Sequence, residues 1–222
     1  NWTGRSIFQS NPGADASTGR KTFYRPSVTL EIGYEMLYFG TGDREHPVDT
    51  DLVDRLYAVK DIGQTTVKSE SNLVDATSTT SVSISGVNTY GWYIKLNVNS
   101  GEKDLATASV LNKTVYFTTY TPSGSSSSVC SADNRGTARF YAMSYLTAAP
   151  AYNYNTGNDG GGVETKDTTD RSVIIGTGIP SGMVTVMNAN GVSAIVGTGG
   201  ALVTPTISDR GSTVPTYWRE VR

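Results

Sequence analysis

Cysteine is almost absent from this 222-residue chain: Cys130 stands alone, so no internal disulfide framework holds the fold. It lies in a serine-rich loop, with nothing nearby that would activate a thiol. It reads as an unpaired thiol, with an intermolecular disulfide to a partner chain or precursor segment as the alternative. Histidine is equally scarce. His46 by itself excludes a two-histidine zinc site and the His-Glu-x-x-His metalloprotease pattern. The 18 basic and 20 acidic residues leave a formal charge of −2 with no run of either sign. The basic face that nucleic-acid binding requires is therefore missing. No stretch reaches the roughly 18–20 consecutive apolar residues of a spanning helix. The chain is expected not to be membrane-spanning. Helical periodicity is also lacking, since no segment keeps it beyond two turns. The chain starts at Asn1 rather than Met, which reads as a processed or trimmed product whose targeting segment has been lost.

What is present points to strands. Hydrophobic residues make up only 37%, while 24 glycines and abundant Ser/Thr favour an all-β fold with long polar loops over a helical bundle. Thirteen Tyr against five Phe fit strands, where the ring is buried and the hydroxyl stays wet. The run Leu37-Tyr38-Phe39-Gly40-Thr41-Gly42 recurs in altered form as Val115-Tyr116-Phe117-Thr118-Thr119, Ile174-Ile175-Gly176-Thr177-Gly178 and Ile195-Val196-Gly197-Thr198-Gly199. Each is a buried-strand pattern ending on small residues, as needed where a strand end passes close to another backbone. The first two are followed by a second matching element, Arg55-Leu56-Tyr57-Ala58-Val59 and Arg139-Phe140-Tyr141-Ala142-Met143. Strand pairs that return with variable loops mark a repeat architecture.

These features predict an antiparallel β-propeller, or part of one, in a single domain over 1–222. About two and a half to three blades fall in approximate units 1–61, 90–147 and 170–222. Within them, strands are expected near 1–10, 25–32, 35–41, 54–60, 90–97, 105–111, 114–120, 137–145, 171–177, 182–188, 192–198 and 214–222, with turns at Asn112-Lys113 and Asn190-Gly191. Residues 62–88 carry few large side chains and read as an excursion or a weak outer strand. Propellers usually need four to eight blades to close, and open blade edges sit badly in water. The chain is expected to act with further β structure, not alone.

Two loops hold candidate oxygen ligands. Asp49, Asp51 and Asp54, with Asp43 and Glu45 upstream, offer the start of a calcium loop, because Asp49 and Asp51 have the spacing of the first two ligands. The sixth position is Asp54, where the turn wants Gly. Asn153, Asn155 and Asp159 alternate in a glycine-rich loop with a single carboxylate and correspondingly low charge. The plain alternative for both is a solvated loop, with local ion pairs in the first. His46 lacks a nucleophile elbow and reads as a turn residue before Pro47. No helix follows any Gly-Thr-Gly run, so these are strand ends and not phosphate loops. Trp2, Trp92 and Trp218, with the tyrosines, either fill the gaps between blades or form a sugar- or surface-binding platform.

Several runs taken together resemble the C-terminal propeller region of the PilY family of type IV pilus biogenesis and tip-adhesin proteins. They are Arg25-Pro26-Ser27-Val28, Leu37 through Pro47, Asp54 through Asp61, Gly91 through Leu96, Gly101-Glu102-Lys103 and Val115 through Pro122, with Tyr217-Trp218-Arg219-Glu220 at the end. The resemblance covers most of residues 1–147 and the last few. It implies a secreted, non-enzymatic propeller module, exported from a bacterial cell to the cell surface and associated with pili. The partners it implies are pilin, other filament subunits or the remainder of the chain's own precursor. Some relatives bind calcium through an Asp-x-Asp-x-Asp-Gly-x-x-Asp loop, a pattern from which this chain departs. A structural coat of an extracellular filament, and a quinone-cofactor or sugar-processing propeller enzyme, are the alternatives from other classes.

Overall fold

The computed structural model describes residues 4–11, 13–15, 18–86, 89–123, 135–188 and 191–207. The described residues form fifteen strands and only short 3-10 turns, which makes the fold all-β as expected. A short β1 (Phe8–Gln9) comes first. It is followed by the antiparallel meander β2 (Ser27–Glu31), β3 (Tyr34–Gly40) and β4 (Arg55–Asp61). An excursion then supplies β5 (Lys68–Ser69), parallel to β1, and β6 (Val74–Asp75), parallel to β7 (Gly91–Lys95). Because β7 returns beside β4, the first sheet has the order β2-β3-β4-β7-β6.

The second sheet repeats the plan. β8 (Lys103–Asp104) and β9 (Ser109–Leu111) share one edge of β10 (Thr114–Thr121), followed by β11 (Thr137–Ser144) and β12 (Ser172–Thr177). β9 and β10 are joined by Asn112 and Lys113 at φ 50° and 63°, the paired left-handed conformation of a type I′ hairpin, at the turn expected from the sequence. A third sheet consists of β13 (Val184–Asn188), β14 (Gly191–Gly197) and β15 (Leu202–Val203). Its first hairpin is the expected one, with Asn190 itself outside the described residues. Among the described residues the three sheets close no ring or barrel.

The repeat has the expected strands but a different phase. Tyr90–Asn97, expected to open the second unit, contains the fourth strand of the first sheet. Ser172–Thr177, expected in the third unit, is the fourth strand of the second. Of the residues near 1–10, expected as a strand of the first blade, the described ones contribute β1, which pairs with β5 instead. A sequence repeat sets the spacing of strands, while hydrogen bonding decides where one sheet ends. The strand expected at 214–222 lies outside the described residues.

Strand alternation then dictates the layers. Met36, Tyr38, Leu56, Ala58, Trp92 and Ile94 share one face of the first sheet and pack on Val115, Phe117, Tyr141 and Met143 of the second. The opposite face of the second sheet, carrying Tyr116, Phe140 and Ala142, packs on Ala194 and Val196 of the third. On its far side the first sheet presents Phe39, Tyr57 and Val59, covered in part by Phe8 and Leu73. Trp92 is thus a seam filler, and its indole N–H donates to Tyr145 O at 3.1 Å. Trp2 and Trp218 are outside the described residues.

The small strand ends do what their composition implies. Gly42 abuts Lys103 and Asp104, where an added Cβ would lie 2.7 Å from the Asp104 carbonyl oxygen. Two Gly-Thr-Gly runs meet each other: a Cβ on Gly178 would fall 2.9 Å from the Gly199 Cα, and Gly199 N–H donates to Thr177 O at 2.6 Å.

The excursion buries more than its composition implies. Leu73, Ala76, Val82 and Ile84 are all buried. Its backbone is tied down by Ala76 N–H to Tyr93 O at 2.8 Å and Val82 N–H to Thr147 O at 2.9 Å. Arg171, 2% exposed, donates to the carbonyls of Ala76 (2.7 Å), Thr77 (3.3 Å) and Ala148 (2.8 Å) and clamps the excursion to the second sheet. Burial lowers its pKa to about 10.

If stacking holds the fold, Phe117→Ala in the first seam should cost about 3–5 kcal/mol in denaturant unfolding. Ile32→Ala, at a fully exposed turn, should stay within about 0.5 kcal/mol.

Candidate functional site

The loop between β3 and β4 forms one wall of a cleft of about 360 Å³, lined by Lys21, Asp43, His46, Asp49, Asp51 and Lys103 among others. The loop starts in an Asx turn. Asp43 Oδ1 accepts from the backbone N–H of Glu45 (2.9 Å) and His46 (3.3 Å), and Oδ2 meets Lys21 Nζ (2.5 Å) and His46 Nδ1 (3.0 Å). Partial burial alone would raise the Asp43 pKa. The bonds from Lys21, His46 and the two amides outweigh it and hold the carboxyl well below the usual range.

The three calcium candidates all line this cleft but are not gathered within ligand reach of one another. Asp49 and Asp51 are exposed, whereas Asp54 is 3% exposed and accepts from the Thr41 hydroxyl at 2.7 Å. Burial raises the Asp54 pKa, against the Thr41 bond and the charges of Lys103, Arg20 and Arg55. Among the described residues the acidic and histidine side chains that do gather, within 4.8 Å, are Asp43, Glu45 and His46. Asp43 is already saturated there by a lysine and backbone amides.

The loop closes on a cation of the chain's own. Lys103, 3% exposed, donates to the carbonyls of Asp49 (2.6 Å), Gly101 (2.8 Å) and Pro47 (3.1 Å). Three carbonyls around an ammonium do what a wrapped metal ion would do for the same loop. Burial lowers the Lys103 pKa, opposed by Asp54, Asp49 and Asp43. The residues present therefore do not fit calcium at Asp49, Asp51 and Asp54.

The glycine-rich loop is likewise closed internally. Asn153 Nδ2 donates to both Asp159 oxygens, at 2.9 and 3.1 Å, and Thr165 N–H donates to Asp159 at 2.8 Å. Asn155 Oδ1 caps a short 3-10 turn over Thr156–Asn158, and its backbone N–H donates to Asp170 at 2.7 Å. The amide oxygens of Asn153 and Asn158 are buried without a donor. They fall well short of the six to eight oxygens calcium takes, since the carboxylates already face N–H groups. Cys130 lies outside the described residues.

Sequence reasoning missed Glu102-Lys103-Asp104, which looks like an exposed charged turn and is buried throughout. Glu102 accepts from Thr119 (2.6 Å), Asn99 (2.7 Å) and Tyr141 (2.9 Å). Asp104 packs against Gly40, and its backbone N–H donates to Thr41 O at 2.9 Å. Its Oδ1 has no partner. The one signal in the sequence was the pair of small strand-end residues, Gly40 and Gly42, which announced a close neighbour without naming it.

Burial raises the Asp104 pKa well above the usual carboxylate value, helped by the Asp54 charge and opposed by the amides of Ala106 and Gly40. A raised folded pKa stabilises the fold fully below the unfolded value of 3.8, and that stability is lost as pH climbs through the folded value. Asp104→Asn should therefore match the parent near pH 3.8 and melt higher at mildly alkaline pH, by about 2–4 °C per kcal/mol recovered. Calcium and a chelator should give the same thermal midpoint, because Lys103 fills the carbonyl cage; a saturable calcium-dependent rise would refute that assignment. No family model, curated protein or solved structure matches this chain.

Proposed function

We propose that the chain is a non-enzymatic propeller segment of the PilY type, carried on type IV pili at a bacterial surface and acting by protein or surface contact. One observation carries this: the motif-bearing pairs β3–β4 and β10–β11 hold the same place in successive face-to-face sheets. Propeller blades repeat a four-stranded antiparallel sheet radially about an axis. The first strands of the sheets also approach one another, as a radial arrangement requires. Ser27 Oγ donates to Ala108 O at 2.5 Å beside β9, and Ser109 Oγ to Met183 O at 3.5 Å beside β13.

Both ends of the stack leave apolar side chains uncovered: Val28 and Leu30 on the first sheet, Val184 and Leu202 on the third. Further sheets, from the rest of a longer precursor or from filament subunits, would cover them and complete a ring. No helix among the described residues is long and apolar enough to cross a membrane.

Removal of the encoding gene should reduce pilus number and twitching, and the protein should co-purify with pilin or its own precursor remainder. Unchanged piliation and motility would overturn the assignment.

A further inference from the structure

A second cleft, of about 200 Å³, opens at the outer margin of the first seam, where β7 faces β11 and the 3-10 turn Thr168–Arg171. Its charged lining is Lys95, Arg139 and Arg171, with no Asp or Glu, in a chain whose formal charge is −2. Arg139 is the unexpected member. By strand alternation it belongs with Tyr141 and Met143 on the face turned to the first sheet, a position the pattern reserves for core residues. A bulge sits at that point: pairing jumps from Ala138–Gly176 to Arg139–Ile174, leaving Ile175 unpaired. The extra residue lies on the neighbouring strand β12, so Arg139 keeps its place in the alternation of β11 while its edge neighbour is bent away.

Among the described residues the Arg139 guanidinium makes no ion pair, and its Nε is buried without an acceptor. A buried N–H donor without an acceptor is costly, which makes the missing partner of this half-buried arginine informative. The surrounding acids are committed elsewhere. Asp75 pairs with Lys95 at 2.7 Å; Glu102, behind Tyr141, takes Thr119, Asn99 and Tyr141. Asp167 takes Thr169, and Asp170 takes Asn155 and Asn158. Arg171 gives its own donors to backbone carbonyls, so its charge also lacks a carboxylate partner. Ile94 and Val98 supply an apolar wall opposite these cations.

We propose that this cleft binds a small carboxylate-bearing ligand, its acid group on Arg139 with Lys95 and Thr168 beside it, and its carbon skeleton against Ile94 and Val98. The planar guanidinium fork suits a carboxylate, and the volume suits an acid group with a few carbons, below the roughly 300 Å³ of drug-sized pockets. An acidic sugar or a peptide C-terminus presents the same group.

The test uses the full chain at constant ionic strength, titrated with glucuronate, with an N-acetyl dipeptide bearing a free C-terminus and, for comparison, with inorganic phosphate. Binding is read by calorimetry and by the NMR signals of the Arg139 Nε–H and the Thr168 amide. A saturable shift with glucuronate or the dipeptide is expected, the stronger of the two identifying the source. Arg139→Met should weaken it about tenfold or more, as loss of a charge-assisted contact does. Thr168→Val, at a half-buried position of the lining, supplies a second readout with a smaller loss should Arg139→Met fail to fold. Absence of saturable carboxylate binding, equal binding by phosphate, or parental binding in Arg139→Met or, where that variant does not fold, in Thr168→Val would overturn the proposal.

Discussion

Face-to-face burial of the first and second sheets is the constraint on which the molecule depends. Each sheet is too narrow to be stable with a wet apolar face, and three or more strands need something to pack against. Met36, Tyr38 and Trp92 meet Phe117 and Met143 across that seam, and the same logic repeats with Phe140 against Val196 at the next. Because each sheet has two apolar faces, stacking cannot stop at one pair. Among the described residues the outer faces of the first and third sheets keep Leu30 and Leu202 exposed.

Polar groups drawn into the first seam fix how the sheets align. Apolar faces can slide by a residue at small cost, whereas a buried ammonium on three carbonyls cannot. Lys103 ties the loop before β4 to β8, Glu102 ties β8 to β10 and β11, and Arg171 ties the excursion to the second sheet. None of these three side chains is satisfied by an opposite charge in a surface-type pair. Each is held by oriented dipoles or neutral donors, which makes geometry decisive and tolerance of substitution low.

The two clefts lie along this seam and differ in electrostatic state. In the first, Asp43 is paired with Lys21 and Lys103 is held by carbonyls, while Asp49 and Asp51 stay exposed. Near Arg139 the cations outnumber the acids that face them, and the site remains chemically open. They differ both in size and in the sign of the charge that lines them, acidic groups prevailing in the first and cations in the second.

Composition and period made much of the architecture legible. Scarce apolar content with abundant Gly, Ser and Tyr indicated β structure, and the paired runs at Tyr38 and Tyr57, and at Tyr116 and Tyr141, named strands that do lie side by side. Asn112-Lys113 named its hairpin because the left-handed conformation is a local property. The phase of the repeat was not legible, since whether β7 closes one sheet or opens the next is settled by hydrogen bonds between residues far apart in the chain. Nor was the fate of the charges. Asp49, Asp51 and Asp54 look alike as letters, yet folding leaves two in solvent and buries the third against Thr41. Spacing along a chain determines which groups can reach one another locally. The desolvation and distant donors that decide what a charged group does exist only once the sheets have stacked.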